Sequence, residues 1–242
     1  MLTFALLMII LAGSLHASAA SSRHTAVSTQ HFSAASAFIK NSQSSNWSGY
    51  AAISGHYTSV SASWTQPSVK CSSSATYSSF WVGLDGDGSN TVEQTGTEGD
   101  CQGRSPTYFA WYEMFPKFPV TINHPVLPGD ALSASVTSGT KSSFKLVISD
   151  QTQGWTFQTT KTLRSAKLAS AEAIAEAPSS QSGVLPLADF GTVNFSSTMV
   201  NGQSIGSFNP DEIVMVTPGG TVKAQPSALS GGTAFSVTWK HS

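Results

Sequence analysis

Hydrophobic and small polar residues alternate with a period of two in several short segments along the chain. The alternation is regular at 60–64, 132–136 and 235–239, and it is less strict at 144–148 and 154–160. Gly, Pro, Asn and Asp residues interrupt the chain between these segments. Short alternating segments with such breaks are typical of an antiparallel β-sandwich or barrel, so the sequence predicts an all-β fold.

One segment has a composition that suits a helix. Residues 165–177 are rich in Ala, Leu, Lys and Glu, and Pro178 would end a helix there. Glu172 and Glu176 are four positions apart, which puts both carboxylates on one face of either a helix or a strand. Spacing alone leaves both structures open. Because no internal repeat or second core is visible, residues 46–242 are predicted to form a single domain.

The N-terminus predicts secretion. Residues 2–13 form an apolar run, and Ala17, Ser18 and Ala19 supply the small residues that signal peptidase requires. No Lys or Arg precedes the run, so a buried N-terminal helix is the alternative. The run is too short to span a bilayer. We therefore expect residues 1–19 to be the signal peptide of a secreted, extracellular protein whose mature form does not contact a membrane.

The segment that follows is cationic. Residues 20–45 contain no acidic residue and four side chains that are or can become positive: Arg23, His24, His31 and Lys40. Residues 46–242 carry 13 acidic and 10 basic residues, a net charge of −3. We interpret residues 20–45 as a pro-segment or flexible leader because apolar residues and periodicity are scarce there. Opposite charges suggest that it binds the acidic domain at neutral pH and leaves in acid; a simple N-terminal tail is the alternative.

The low content of charged residues excludes some classes of partner. Only 10% of residues are charged and the net charge is −1, whereas an ordinary domain has about 25% charged residues. Because 40% of residues are hydrophobic, the chain can bury a full core, which argues against global disorder. A pI near 6.6 and the lack of a Lys/Arg-rich stripe argue against nucleic acid as a partner. Few charges also predict a fold that tolerates changes of pH.

Cys71 and Cys101 are the two cysteines of the chain. They are too few for a structural zinc site and do not form a Cys-x-x-Cys pair. In an oxidising compartment they would close a 31-residue loop, which is worth about 3–4 kcal/mol if the effect is entropic. Two free thiols are the alternative.

Three common kinds of catalytic or metal site find little support. His56, His124 and His241 could in principle complete a Ser/His/Asp triad, but no Gly-x-Ser-x-Gly motif is present. The Asp-Thr-Gly and Asp-Ser-Gly turns of pepsin-like enzymes are absent. Residues 85–89 begin like a calcium loop, but the EF-hand register fails at Asn90 and Gly96. We therefore expect a Gly-rich turn at 85–89, and neither a metal nor a cofactor.

Five short motifs, read in order, resemble those of the glutamic peptidase (eqolisin) family. Each motif is weak alone, but their order and spacing together cover essentially all of residues 46–242. They are Asn46-Trp47-Ser48-Gly49-Tyr50, Trp81-Val82-Gly83-Leu84-Asp85-Gly86, Glu93-Gln94-Thr95-Gly96, Ala110-Trp111-Tyr112-Glu113 and Ala171-Glu172-Ala173-Ile174-Ala175-Glu176.

The resemblance implies a two-sheet antiparallel jelly roll with Gln94 and Glu176 as the catalytic pair. It also implies substrate-binding residues around the cleft, namely Trp47, Trp81, Asp85, Glu113 and Glu172. The chain departs from the fungal pattern at Ala173, at Ala177-Pro178 and at Glu98. These departures concern substrate preference and pH optimum more than the catalytic pair.

The implied chemistry is hydrolysis of peptide bonds by a secreted, monomeric acid endopeptidase. Amide hydrolysis needs a base for the attacking water and donors for the oxyanion. A Glu with a pKa near 4 remains a base in acid, where His would be protonated, and the Gln amide donates at every pH. One alternative is a β-glucan hydrolase, although Ile174 stands where such sites usually have Asp. Another is a non-catalytic carbohydrate-binding sandwich with Trp47, Trp81 and Trp111 as stacking platforms.

Overall fold

The computed structural model describes residues 43–242, so the predicted signal peptide and nearly all of the leader lie outside the described residues. The described part contains two short 3₁₀ turns, at Thr140–Ser142 and Ile205–Phe208. Its strands are β1 (Gln43–Ser44), β2 (Trp47–Ala52), β3 (Ser59–Thr65), β4 (Ser79–Leu84), β5 (Val92–Gln102), β6 (Ser105–Phe115), β7 (Val120–Ile122), β8 (Ala131–Ser138), β9 (Ser143–Asp150), β10 (Trp155–Thr162), β11 (Ala171–Glu176), β12 (Ser179–Ser180), β13 (Gly183–Val184), β14 (Thr192–Val200), β15 (Gln203–Ser204), β16 (Asp211–Val216), β17 (Val222–Pro226) and β18 (Phe235–Trp239).

The strands form two packed layers that share one hydrogen-bonded path. The path runs β10-β9-β8-β3-β14-β18-β17-β16-β2-β11-β4-β5-β6-β7. The path passes from one layer to the other at β16, which pairs with β17 on one side and with β2 on the other. The front sheet (β2, β4–β7, β11) packs on the back sheet (β3, β8–β10, β14, β17, β18). All pairs of named strands are antiparallel except β1 with β16, which confirms the predicted antiparallel two-sheet sandwich.

Every strand that the alternation predicts is present. The segments 60–64, 132–136, 144–148 and 235–239 lie within β3, β8, β9 and β18, and 154–160 overlaps β10. Along β8 and β9 the buried residues alternate with more exposed ones. The alternation exists because the back sheet has its core on one face and solvent on the other.

The helical interpretation of residues 165–177 is wrong. Ala171–Glu176 is strand β11, which pairs over its whole length with β2 and with β4. All six residues are buried. A central position with two hydrogen-bonded neighbours outweighs helix propensities, which amount to a few tenths of a kcal/mol per residue.

Strands β2, β4, β5 and β11 of the front sheet are buried on both faces. The inner face of this sheet packs Phe80, Val82 and Leu84 into the core between the sheets. We call the opposite face, which points away from the back sheet, the outer face. It carries a second apolar cluster made of Trp47, Ala51, Trp81, Val92, Trp111, Ile174 and Ile213. Strands buried on both faces do not alternate, so the front sheet gave weaker strand signals than the back sheet.

The predicted disulfide between Cys71 and Cys101 is formed, with the two Cα atoms 5.3 Å apart. It joins the loop that precedes β4 to the end of β5, so it holds the two strands that carry the Trp81 and Gln94 motifs within one covalent loop. Both cysteines of the chain are thereby used.

The folded domain begins before residue 46. Gln43 and Ser44, which the sequence placed in the leader, pair in parallel with Val214 and Met215 of β16. Ser44 is 2% exposed. The strand pairing of the domain therefore includes two residues that the sequence analysis assigned to the leader. Within residues 43–242, no helix is long and apolar enough to cross a membrane.

Candidate active site

The strand register brings most of the predicted site residues onto the outer face of the front sheet in two rows. In the first row, Glu172 of β11 lies opposite Gly83 of β4, Gly83 opposite Gln94 of β5, and Gln94 opposite Glu113 of β6. Neighbouring strands are about 4.8 Å apart, so these four positions form one continuous line across the sheet.

The second row contains the other predicted catalytic residue. Trp47 of β2 lies opposite Glu176 of β11, which lies opposite Ser79 of β4, and Ser79 lies opposite Glu98 of β5. Gln94 and Glu176 are therefore on strands separated by β4, and they share no hydrogen bond in the structure. Trp81 lies on β4 between the rows.

Two N–H groups hold the Glu176 carboxylate. Trp81 Nε1 donates to Oε2 at 2.7 Å, and Asn46 Nδ2 donates to Oε1 at 3.0 Å. Trp47 packs edge-on against Trp81 with the ring centroids 5.0 Å apart. Both carboxylate oxygens therefore accept from N–H donors, an arrangement that suits the ionised, acceptor-only form of the side chain.

Burial acts on Glu176 in the opposite direction. Its side chain is 2% exposed, and this desolvation raises its pKa to about 8 despite the hydrogen bonds from Trp81 and Asn46. The sequence-based expectation of a pKa near 4 is wrong for this closed site. Glu176 holds a proton in acid as long as the site stays closed.

Gln94 is fully buried and is oriented by the neighbouring strand. Its Nε2 donates to Glu113 Oε2 at 2.5 Å, while its Oε1 has no hydrogen-bond partner within the described residues. A carboxylate accepts but does not donate, so Glu113 determines which end of the amide faces it. The second N–H of the amide and the carbonyl oxygen remain available to other groups.

Two glycines make space for the Trp81 indole. A Cβ atom on Gly83 would lie 2.8 Å from the Trp81 ring, and a Cβ atom on Gly96 would lie 2.5 Å from Trp81 Cβ and 2.2 Å from the carbonyl oxygen of Phe80. Any larger residue at either position would displace the indole that binds Glu176. The glycines of the Trp81 and Gln94 motifs therefore have a steric purpose.

The sequence profile of the Peptidase A4 family matches residues 45–239. The chain belongs to this family. Aspergillopepsin-2 of Aspergillus niger is 28% identical over 226 residues, which cover 81% of this chain and 78% of that protein.

Two solved eqolisins have the same fold. The structure of scytalido-glutamic peptidase with a transition state analog inhibitor matches with a TM-score of 0.71 and 25% identity, over 81% of this chain and 98% of that one. The eqolisin SCP-B, solved with the tripeptide Ala-Ile-His, matches with a TM-score of 0.66 and 27% identity over the same shares. The family and these relatives confirm that the chain is a glutamic-type endopeptidase.

Asp85, which the resemblance assigned to substrate binding, directly follows strand β4 and lies outside the two rows. Its carboxylate accepts backbone N–H bonds from Lys167, Leu168 and Ala169, each at 2.9 Å. Asp85 is fully buried, and these three hydrogen bonds tie the β4–β5 turn to the segment that leads into β11. Within residues 43–242, no group of three or more His, Cys, Asp or Glu side chains has the arrangement of a metal site.

Glu172 and three further carboxyl groups are also buried in this peptidase. Burial raises the pKa of Glu172 above its usual range, and the negative charges of Asp87 and Asp85 raise it further. Burial likewise raises the pKa of Asp100 to about 7 and that of Glu93 to about 9. The pKa of Glu98 is raised by burial and then by the charges of Asp100, Glu176 and Glu113. The predicted tolerance to pH is therefore wrong, because most of the few acids are buried.

The alternatives to peptidase chemistry find no support in the geometry. His56, His124 and His241 are exposed and lie in separate parts of the fold, and His124 stacks on Trp155. Trp47, Trp81 and Trp111 are 0–4% exposed, so they are not open platforms for sugars. Ile174 lies between the two Glu residues and packs in the outer apolar cluster.

Asn46 and Glu98 are site residues that the sequence did not assign. Asn46 is the first residue of one of the five motifs, but its contact with Glu176 spans 130 residues, so no local sequence pattern predicts that contact. Glu98 stood out as a departure from the family pattern, and its place opposite Ser79 puts it in the same row as Glu176. The one sequence feature that pointed to Asn46 is its place directly before Trp47 in the motif.

Proposed function

We propose that this peptidase cleaves peptide bonds with a water molecule that Glu176 activates, while Gln94 stabilises the oxyanion. The observation that carries the proposal is the arrangement at Glu176, a buried carboxylate whose two oxygens accept from Trp81 and Asn46. The second N–H of the Gln94 amide, which the bond to Glu113 does not use, supports the second role because it can donate to an oxyanion.

The proposed proton transfers balance as follows. Ionised Glu176 takes a proton from the water as its oxygen bonds to the carbonyl carbon, and the carbonyl oxygen becomes an oxyanion that accepts from the Gln94 amide. Protonated Glu176 then returns the proton to the leaving nitrogen as the C–N bond breaks. One carboxylic acid and one amine leave, and Glu176 is again ionised.

We also infer that the site opens before it works. Gln94, Glu113, Glu172 and Glu176 are each at most 2% exposed, so a peptide cannot reach them in the closed form. Opening to solvent would reverse the desolvation that raises the pKa of Glu176. The ionised base would then exist in acid, which reconciles its burial here with acid peptidase activity.

We also propose that the protein is secreted, that residues 1–19 are its signal peptide, and that the leader is removed in the active form. Protein or peptide substrates and a monomeric enzyme belong to the proposal too. The cationic leader and the acidic domain support release in acid, because protonation of carboxylates removes their attraction for Lys and Arg. Gln43 and Ser44 pair with β16, so the maturation cut is expected before Gln43.

The deciding experiment compares wild type, Glu176→Gln and Glu172→Gln on a protein substrate and on β-glucan at pH 3–4. We expect wild type to cleave the protein only, Glu176→Gln to be inactive on both, and Glu172→Gln to keep much of its proteolysis. Wild-type cleavage of β-glucan, or proteolysis by Glu176→Gln above about a tenth of the wild-type rate, contradicts the proposal, since a general base contributes at least about 100-fold.

A further inference from the structure

We propose that Ser44 and Asn46 are positioning residues that hold the Glu176 carboxylate for catalysis. This makes the segment 43–46 part of the active site, although it lies at the edge of the predicted leader. The inference rests on the proposed catalytic role of Glu176 and extends it to residues that no motif had assigned.

The first step is the contact between Asn46 and β11. Asn46 Nδ2 donates to Glu176 Oε1 at 3.0 Å, and the carbonyl oxygen of Asn46 accepts from the backbone N–H of Ala177 at 2.8 Å. Asn46 and Glu176 are 3% and 2% exposed. Asn46 therefore holds both the side chain of Glu176 and the backbone of the next residue, in a place where water cannot substitute for either contact.

The second step is the orientation of the Asn46 amide by Ser44. Ser44 Oγ donates to Asn46 Oδ1 at 3.1 Å and accepts from the backbone N–H groups of Asn46 at 3.3 Å and Trp47 at 3.0 Å. One donated and two accepted bonds use the full capacity of a hydroxyl. Because Oδ1 faces the hydroxyl, Nδ2 faces Glu176.

The third step is the anchor of this segment in the sheet. Gln43 and Ser44 form β1, which pairs with Val214 and Met215 of β16. β16 also pairs with β2, the strand that carries Trp47. A chain cut after Ser44 would lose this anchor and the hydroxyl that orients Asn46.

The titratable groups near Glu176 also affect the kcat–pH profile that the test below measures. Within the described residues, β5 presents Glu98, whose pKa responds to the charge of Glu176, and β6 presents Glu113, which lies opposite Gln94. β2 and β4 present the indoles of Trp47 and Trp81, which do not titrate. Glu172 lies four residues away on the same strand. The amide of Asn46 donates directly to the carboxylate, and its loss favours the protonated form of Glu176.

The test replaces Asn46 with Asp in the full chain. Asp keeps the shape and the oxygen that Ser44 binds, but it puts an oxygen in place of the donor beside Glu176. A hydrogen bond to a charged group contributes enough that kcat should fall roughly 10- to 100-fold. KM should stay within a few-fold, and the acid limb of the kcat–pH profile should move up by about one pH unit or more.

Two comparisons distinguish a role in positioning Glu176 from a general loss of stability. Ser44→Ala should shift the same profile in the same direction by less, and Ser44→Thr should restore it because the hydroxyl returns. The matched control is Asn201→Asp, which loses an Nδ2 donor to the His56 carbonyl oxygen at 3.0 Å in the turn that follows β14 of the back sheet. This control should leave the profile of kcat against pH unchanged. If Asn46→Asp does not fold, the comparison of Ser44→Ala with Ser44→Thr tests the inference instead.

The outcomes separate the two proposals. Wild-type kcat and pH profiles in Asn46→Asp and Ser44→Ala, together with an inactive Glu176→Gln, overturn the positioning role alone. An active Glu176→Gln overturns the proposed function and this inference with it. N-terminal sequencing of the active species adds a second measurement: the first residue should be Gln43 or an earlier one, and a fully active form that begins after Ser44 refutes the inference.

Discussion

Replacing Glu176 with Gln should abolish proteolysis and at the same time make the stability of the fold less dependent on pH. The Gln side chain presents N–H groups to one of the two donors that hold Glu176, which weakens the fold to a similar extent at every pH, but Gln does not titrate. Both effects follow from the loss of one carboxyl group, which is the proposed base and is costly to ionise while it is buried.

The size of the stability effect follows from the pKa of the buried group. Between the ordinary value of 4.5 and the folded value of about 8, the folded protein holds a proton that the unfolded chain has released. The free energy of unfolding therefore falls as pH rises, by about 1.4 kcal/mol per pH unit in that window. From pH 4.5 to 6.5 the loss due to Glu176 alone is about 3 kcal/mol. Gln has no such proton, so the variant should escape this loss.

The assay is urea unfolding of wild type and Glu176→Gln at pH 4.5, 5.5 and 6.5, followed by tryptophan fluorescence. The buried carboxyl groups away from Glu176 act in both proteins, so the difference between the two slopes reports Glu176 together with its effect on Glu98, whose pKa responds to the charge of Glu176. Glu172→Gln is the matched control: it should also reduce the slope, because burial raises its pKa, yet it should keep activity within about tenfold of wild type. Parallel slopes for wild type and Glu176→Gln would refute the reasoning about burial.

Three further changes test other parts of the site. Gln94→Ala should lower kcat by about 100- to 1,000-fold with KM within a few-fold, in steady-state kinetics on a peptide, and near-wild-type kcat would remove Gln94 from the chemistry. Asp85→Asn should lower the free energy of unfolding by about 3 kcal/mol, because Asn keeps one of the two oxygens and its NH2 group then faces at least one of the three backbone N–H donors; unchanged urea midpoints would count against this anchor. For Asp100→Asn, the change in melting temperature relative to wild type should be more favourable at pH 7 than at pH 4, because burial raises the pKa of Asp100 to about 7. An equal change at both pH values would contradict this reasoning.

The sequence determined the parts of this protein that depend on local pattern. Period-two alternation located the back-sheet strands because each has one face in the core and one in water. The cysteine pair was identified from its count and the predicted compartment. The motifs around Trp81, Gln94 and Glu176 identified the family because close packing at Gly83 and Gly96 leaves those residue types little freedom.

Tertiary structure decided what depends on contacts between distant residues. The strand at 171–176 exists because β2 and β4 lie on both sides of it, which no local propensity reports. Asn46 reaches Glu176 across 130 residues, and Asp85 binds the backbone of a segment more than 80 residues away. The pKa of Glu176 likewise depends on burial by the assembled sheet, since desolvation is a property of the surroundings and not of the residue.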